Sequence, residues 1–152
     1  MNTALIDTNI LIYCYDISDI KKNKIAVDLL QRCFLKKETF TLSLQNLSEF
    51  YVNITKKVRK PLDAITAYFV VRDLIDFSNL KILNFGEKTI LPAIEISKKF
   101  GISYWDSLIA ATMTEHDIST IYTENIKDFK VPWIKAINPF KYDFRRDSEN
   151  QN

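Results

Sequence analysis

Four-residue apolar runs recur along this chain, and amphipathic segments with the 3.6-residue apolar period of a helix separate most of them. The runs are Thr3-Ala4-Leu5-Ile6, Thr39-Phe40-Thr41-Leu42, Leu80-Lys81-Ile82-Leu83 and Thr120-Ile121-Tyr122-Thr123, with a last short one from Trp133 to Ile137 closed by Asn138-Pro139. Strands alternating with helices of this length are the pattern of an α/β domain with a parallel sheet. The alternative, an all-β sandwich, needs a turn every 8–12 residues, and a chain with 2 Gly and 4 Pro is too poor in turn formers for that. The expected fold is a three-layer α/β/α sandwich around a mainly parallel central sheet. With 152 residues, 47% apolar and 26% charged, the chain suits one globular domain and excludes a disordered one. We assign residues 1–140 to that domain and 141–152 to a polar tail.

The helical segments are read from their apolar spacing. One begins after Asp7-Thr8-Asn9 and carries Ile10, Leu11, Tyr13 and Cys14; the next runs over 22–36 with Ile25, Leu29, Leu30 and Cys33 on one face. A third places Leu47, Phe50, Tyr51, Ile54 and Val58 together. Pro61 reads as the first helical residue of a fourth, which turns Ile65, Phe69 and either Val70 or Leu74 toward a core. A fifth runs over 88–100 and stops at Gly101, and a sixth opens at Ser103-Tyr104-Trp105-Asp106 and continues to Thr114.

Some function classes are excluded early. Lys and Arg number 21 against 19 Asp and Glu, and a net charge of +2 does not by itself indicate a nucleic-acid partner. Cys14 and Cys33 have no metal-ligand spacing and read as buried free thiols of a reducing compartment. His116 stands alone and reads as structural. Asp7 interrupts the first apolar run before a leader core can form, and no uncharged apolar run approaches the ~20 residues of a membrane span. A cytoplasmic protein without membrane contact is expected.

Ligands of a parallel sheet sit at the carboxyl ends of its strands. There the chain is acidic in four places: Asp7 after the first strand, Glu49 in the helix after the second, Asp106 in the first turn of its helix, and Glu124 with Asn125 and Asp128 after the fourth strand. Each has an ordinary structural reading. Asp7 suits an N-cap, Asp106 the third position of a capping box opened by Ser103, Glu49 a solvated helix face, and Glu124 and Asp128 loop charges. Together, however, gathered carboxylates repel one another unless a hard cation relieves them. Mg²⁺ or Mn²⁺ takes oxygen ligands, acidifies a bound water and stabilises charge on a phosphoryl oxygen, which is the chemistry of phosphodiester hydrolysis.

The motifs are more specific than the acids alone. Asp7-Thr8-Asn9-Ile10-Leu11 resembles the opening motif of the PIN-domain ribonucleases, and Ser43-Leu44-Gln45-Asn46-Leu47-Ser48-Glu49-Phe50 their second. Trp105-Asp106-Ser107-Leu108-Ile109-Ala110-Ala111 resembles the third, and Tyr122-Thr123-Glu124-Asn125-Ile126-Lys127-Asp128-Phe129 the fourth. Order and spacing fit from Ala4 to about Ile137, with VapC-type toxins of toxin–antitoxin pairs nearest in size. The resemblance implies Mg²⁺- or Mn²⁺-dependent cleavage of RNA, a homodimer and a cognate antitoxin. It aligns Asp7, Glu49 and Asp106 with the family's three acids. It leaves the fourth position open among Glu124, Asn125 and Asp128, since many members carry an aspartate where Asn125 stands and others carry it three residues on. The expected metal ligands are Asp7, Glu49, Asp106 and Glu124, with Asp128 as a further catalytic acid. Asn9, Thr123 and Asn125 are expected to orient them.

Lys56-Lys57-Val58-Arg59-Lys60 is the densest basic run, with Lys21-Lys22-Asn23-Lys24, Lys98-Lys99 and Arg145-Arg146 as others. They read as solvated helix ends or as phosphate contacts. Tyr104 and Trp105 read as packing residues, with base stacking as the alternative. The apolar helix around Phe69 and Val70 is a candidate dimer face or core. Among rival functions, a haloacid-dehalogenase-type phosphatase needs an acid two residues after the nucleophile, where Asn9 stands. A response-regulator receiver needs an acidic pair after the first strand and a lysine after the last. A non-catalytic RNA- or protein-binding module on the same fold remains the alternative to a nuclease.

Overall fold

The computed structural model describes residues 3–141. The expected polar tail and the Arg145-Arg146 pair lie outside the described residues, apart from Lys141. In chain order the elements are β1 (Ala4–Ile6), α1 (Thr8–Tyr15), α2 (Ile20–Phe34), β2 (Phe40–Ser43), α3 (Leu44–Lys56), α4 (Ala64–Asp76), β3 (Leu80–Leu83), α5 (Glu87–Phe100), α6 (Tyr104–Glu115), β4 (Thr120–Tyr122), a 3-10 turn (Ile126–Phe129) and β5 (Lys135–Ile137). The strands form one sheet in the order β3-β2-β1-β4-β5, and every pairing is parallel.

Strand alternation divides the core in two. Ala4 and Ile6 of β1 face one way with Phe40, Leu42 and Leu80, and against them pack Ile10, Leu29, Phe50 and Leu74 from α1 to α4. Leu5 faces the other way with Ile121 and meets Ala93, Ile96, Leu108 and Met113 from α5 and α6. Side chains of successive strand residues point to opposite faces, so both faces of a buried strand must be apolar. The sheet is thus sandwiched between helical layers, as the alternation predicts.

Two expectations about α4 fail. The helix begins at Ala64, not at Pro61, because Asp63 accepts a hydrogen bond from the Thr66 amide at 2.9 Å and caps it. An aspartate in the capping position satisfies a free helix amide, which a proline at the first turn does not do. Ile65 and Phe69 are exposed and only Ala67 and Leu74 of α4 are buried, because α4 packs at the sheet edge against α3 and β3. Elsewhere the termini follow the expected chemistry. Gly101 closes α5 in the left-handed region at φ 66°, and the Ser103 hydroxyl accepts from the Asp106 amide to open α6. Both cysteines are free, and burial pushes the Cys14 thiol up to about 12.

This topology creates the site. From β1 the chain moves outward to β2 and β3, then returns to the other side of β1 for β4 and β5. The crevice of a parallel sheet opens where that direction reverses, at the carboxyl ends of β1 and β4. There the Asp7 amide donates to the Tyr122 carbonyl at 3.0 Å, so the first acidic position sits at the reversal.

Candidate active site

Asp7 caps α1 and is 8% exposed. Its Oδ1 accepts from the Thr8 amide at 2.8 Å and from Asn46 Nδ2 at 3.2 Å. Its Oδ2 accepts from Thr123 Oγ1 at 2.7 Å and from Asn9 Nδ2 at 3.4 Å. Four donors hold the carboxylate, yet its pKa is pushed up to about 6. Burial is the main cause; the Thr123 and Thr8 bonds oppose it, and the charges of Asp106 and Glu49 add to it.

The second strand delivers the next part through a local device. Ser43 ends β2 and caps α3, its hydroxyl accepting from the Asn46 amide while Asn46 Oδ1 accepts from the Ser43 amide and hydroxyl. That reciprocal box fixes the fully buried Asn46 so that its Nδ2 reaches Asp7 and Thr8. One helical turn on, Glu49 Oε2 accepts from Thr8 Oγ1 at 3.0 Å and Oε1 from Gln45 Nε2 at 3.0 Å. Gln45 Nε2 also donates to the Trp105 carbonyl at 3.0 Å, tying α3 to α6. Among the described residues the Gln45 Oε1 and the Ser107 hydroxyl are buried without a partner.

Asp106 projects from the first turn of α6, its Oδ2 accepting from Ser103 Oγ at 2.7 Å. Partial burial raises its pKa, the Ser103 bond opposes this, and the charges of Asp128 and Glu49 raise it further. Asp7, Glu49, Asp106, Asn125 and Asp128 line one cleft of about 470 Å³. Lys57 and Arg59, from the basic run at the end of α3, line it too, with Asp16 and Asn53.

Glu124 is elsewhere. Its side chain forms an ion pair with Lys22 and accepts from the Tyr13 hydroxyl at 2.9 Å. The Lys22 ammonium lies 5.0 Å from the centre of the Tyr13 ring. The sequence pattern places Glu124 among the expected metal ligands, whereas in the fold it pairs with Lys22 and is not among the residues lining the cleft. Its backbone amide donates to Asn9 Oδ1 at 3.2 Å. Thr123 is fully buried, and its hydroxyl also accepts from the Asn125 amide at 3.1 Å.

Reading the sequence for charge finds the acids and misses the amides. Asn46, Gln45 and Thr8 lie inside the quoted motifs without an assigned role, and the Ser43-x-x-Asn46 spacing of a capping box was the available signal for Asn46. Trp105, expected to pack, is 63% exposed, whereas Tyr104 packs against the α5–α6 core.

The donor set is chemically uniform. Five carboxylates, Asp7, Asp16, Glu49, Asp106 and Asp128, line the cleft, and among the described residues none of the five has an ion pair with a cation. They do not close into a cage: among the described residues no three His, Cys, Asp or Glu side chains converge tightly enough to hold an ion. An open rim of hard oxygen donors fits Mg²⁺ or Mn²⁺, which keep several of their waters, better than it fits zinc.

A family model described as PIN domain matches residues 4–131. No curated protein matches the chain in sequence. Among solved structures, FitAcB from Neisseria gonorrhoeae is similar at 22% identity and TM-score 0.67, covering 91% of this chain and 99% of that one. VapBC2 from Rickettsia felis, bound to a DNA fragment from its promoter, is similar at 22% identity and TM-score 0.62, over 90% of this chain and 98% of that one. VapC20 from Mycobacterium tuberculosis, a Sarcin-Ricin loop cleaving toxin, is similar at 12% identity and TM-score 0.63, over 86% and 98%. No helix among the described residues is long and apolar enough to cross a membrane.

Proposed function

The chain belongs to the PIN domain family, and from that premise we propose that it is a divalent-metal-dependent endoribonuclease, the toxin of a VapBC-type toxin–antitoxin pair. The observation that carries the reading is the set of five carboxylates lining one cleft, Asp7, Glu49, Asp106 and Asp128 of the motifs with Asp16, with no cation of the described residues paired to them. Burial, with the neighbouring acids adding to it, holds Asp7 and Asp106 above the ordinary carboxylate range, and an external cation would relieve that cost.

Asp7, Glu49, Asp106 and Asp128 line the cleft in which Mg²⁺ or Mn²⁺ would bind, one or two of them touching the ion and the others meeting it through the waters it keeps. The bound ion supplies an acidified water and neutralises charge on the scissile phosphate. Asn46, Thr8, Thr123 and Asn9 keep the Asp7 and Glu49 oxygens aimed by donating to them. Lys57 and Arg59 receive neighbouring phosphates of the RNA along the same cleft. Asn125 follows Thr123 and places Asp128, whose amide donates to the Asn125 carbonyl at 3.0 Å. The similar VapBC2 complex supports a cognate antitoxin as partner, and a homodimer is proposed from the family resemblance alone.

The test is incubation of total RNA with the purified chain, with and without Mn²⁺, followed by mapping of the cut ends. Cuts that need the metal and vanish in Asp106→Asn are expected. A thermal melt adds a readout independent of turnover: Mn²⁺ bound by the native state alone raises the midpoint by mass action. Neither cleavage nor a Mn²⁺-dependent midpoint would leave the non-catalytic binding module in its place.

A further inference from the structure

A second groove, of about 570 Å³, shares Glu49 with the acidic cleft and is walled by Leu44, Gln45, Phe85, Trp105 and Leu108. We propose that this groove binds one unpaired nucleobase of the RNA, stacked on Trp105 and read by the Gln45 amide. The proposal rests on the ribonuclease reading of the neighbouring cleft.

Three observations lead to a base as the occupant. The first is Trp105. It lies one residue before Asp106, its ring 5.2 Å from that of Tyr104, and it is 63% exposed. An indole held in solvent at the mouth of a polyanion cleft offers a face on which any base stacks. The second is Gln45. Its Nε2 is committed to two acceptors, Glu49 Oε1 and the Trp105 carbonyl, and this fixes which way the amide points. Among the described residues its Oε1 is left buried and without a donor, in a side chain that is 9% exposed. Every nucleobase carries an N–H on its pairing edge and can supply that donor. An apolar side chain from a partner protein fills the same volume but supplies none. The third is position. Gln45 touches Glu49 and the backbone of Trp105, and Trp105 adjoins Asp106, so a base in the groove belongs to a nucleotide whose phosphate reaches the acids.

The experiment uses the full chain as Asp106→Asn, so that bound RNA persists, with Trp133→Phe so that Trp105 is the remaining tryptophan of two. The probes are the four homopolymeric tetraribonucleotides and an abasic tetramer of equal charge, titrated by tryptophan emission and by a competition assay. Base-bearing tetramers are expected to quench Trp105 and the abasic one to leave it unchanged. Trp105→Ala is expected to weaken base-bearing tetramers by about tenfold, within the range for one stacked base, and to spare the abasic one. Gln45→Met, which keeps the bulk, is expected to narrow the affinity differences among the four bases. Equal binding of abasic and base-bearing tetramers overturns the proposal, as does an unchanged affinity in Trp105→Ala. A change of sedimentation in Trp105→Ala with RNA affinity intact also overturns it, assigning the groove to a protein contact. If the parent cleaves RNA with Mn²⁺ while the titration is silent, the groove alone fails. If the parent cleaves nothing, the ribonuclease reading fails and the titration still reports on the groove.

Discussion

Two carboxylates flank the buried Thr123, and the chain treats them in opposite ways. Glu124 has a cation of its own: the Lys22 ammonium pairs with it and the Tyr13 hydroxyl donates to it. Asp7, which accepts from the Thr123 hydroxyl, has four hydrogen-bond donors and, among the described residues, no cation, while Glu49 and Asp106 bring more negative charge. The first arrangement is complete within the protein. The second is the arrangement that we propose a metal ion completes. Hydrogen bonds from neutral donors orient a carboxylate, but they do not cancel the repulsion among three or four of them. Charge left uncompensated thus separates the acids we propose to act on a metal from the acid that Lys22 pairs within the fold.

Mutations at the two places test this contrast. Asp106→Asn should have the largest effect, lowering Mn²⁺-dependent RNA cleavage by roughly 10²–10³-fold, the several kcal/mol that a metal contributes, with an unchanged circular-dichroism spectrum. Parent-like cleavage by this variant would erase the distinction between the two carboxylate environments.

Asp7→Asn should stabilise the metal-free protein at pH 7.5 by up to about 3 kcal/mol, since one unit of pKa shift is about 1.4 kcal/mol. The native carboxyl titrates at about 6 against an ordinary 3.8. Between those values the native state keeps a proton that the unfolded chain has released. Stability therefore falls as pH rises through that window, and the full deficit holds above it. Urea unfolding of parent and variant should differ at pH 7.5 and converge toward pH 3.5. A gap that does not change with pH would show that Asp7 bears no such penalty.

Asn46→Ala should weaken Mn²⁺ binding by about 10–100-fold, as loss of an orienting partner does, and shrink the Mn²⁺-induced rise in melting midpoint. Salt-tolerant, parent-like metal affinity would mean that the Ser43–Asn46 box serves α3 alone. The smallest effect belongs to Glu124→Gln. The ion pair it breaks is part-exposed, so stability should change by less than about 1 kcal/mol, and cleavage should persist. A loss of cleavage matching Asp106→Asn would return Glu124 to the site.

Much of this was legible in the chain. The alternation of apolar runs with helical periods predicts the layered sheet, and both Gly101 and Ser103 mark helix ends by their own chemistry. The acids at Asp7, Glu49 and Asp106 stand where strands and helix starts put them. Less legible was α4, where the apolar period reads as core although the helix lies at the sheet edge and exposes Ile65 and Phe69. Periodicity reports that a helix has an apolar face and does not report how much of that face a neighbour covers.

What the sequence by itself determined was the order of strands and helices, the family, and the list of acids, because these follow from local period and spacing. Which acid gathers with which was decided only by the fold. Glu124, Asn125 and Asp128 are near neighbours in the chain, yet Asn125 and Asp128 line the cleft while Glu124 is engaged by Lys22. The partners that settle the matter, Lys22, Asn46 and Trp105, come from distant positions. Electrostatics and hydrogen bonding act over a few ångströms of space, and spacing along a chain does not encode that distance until the sheet has brought its ends together.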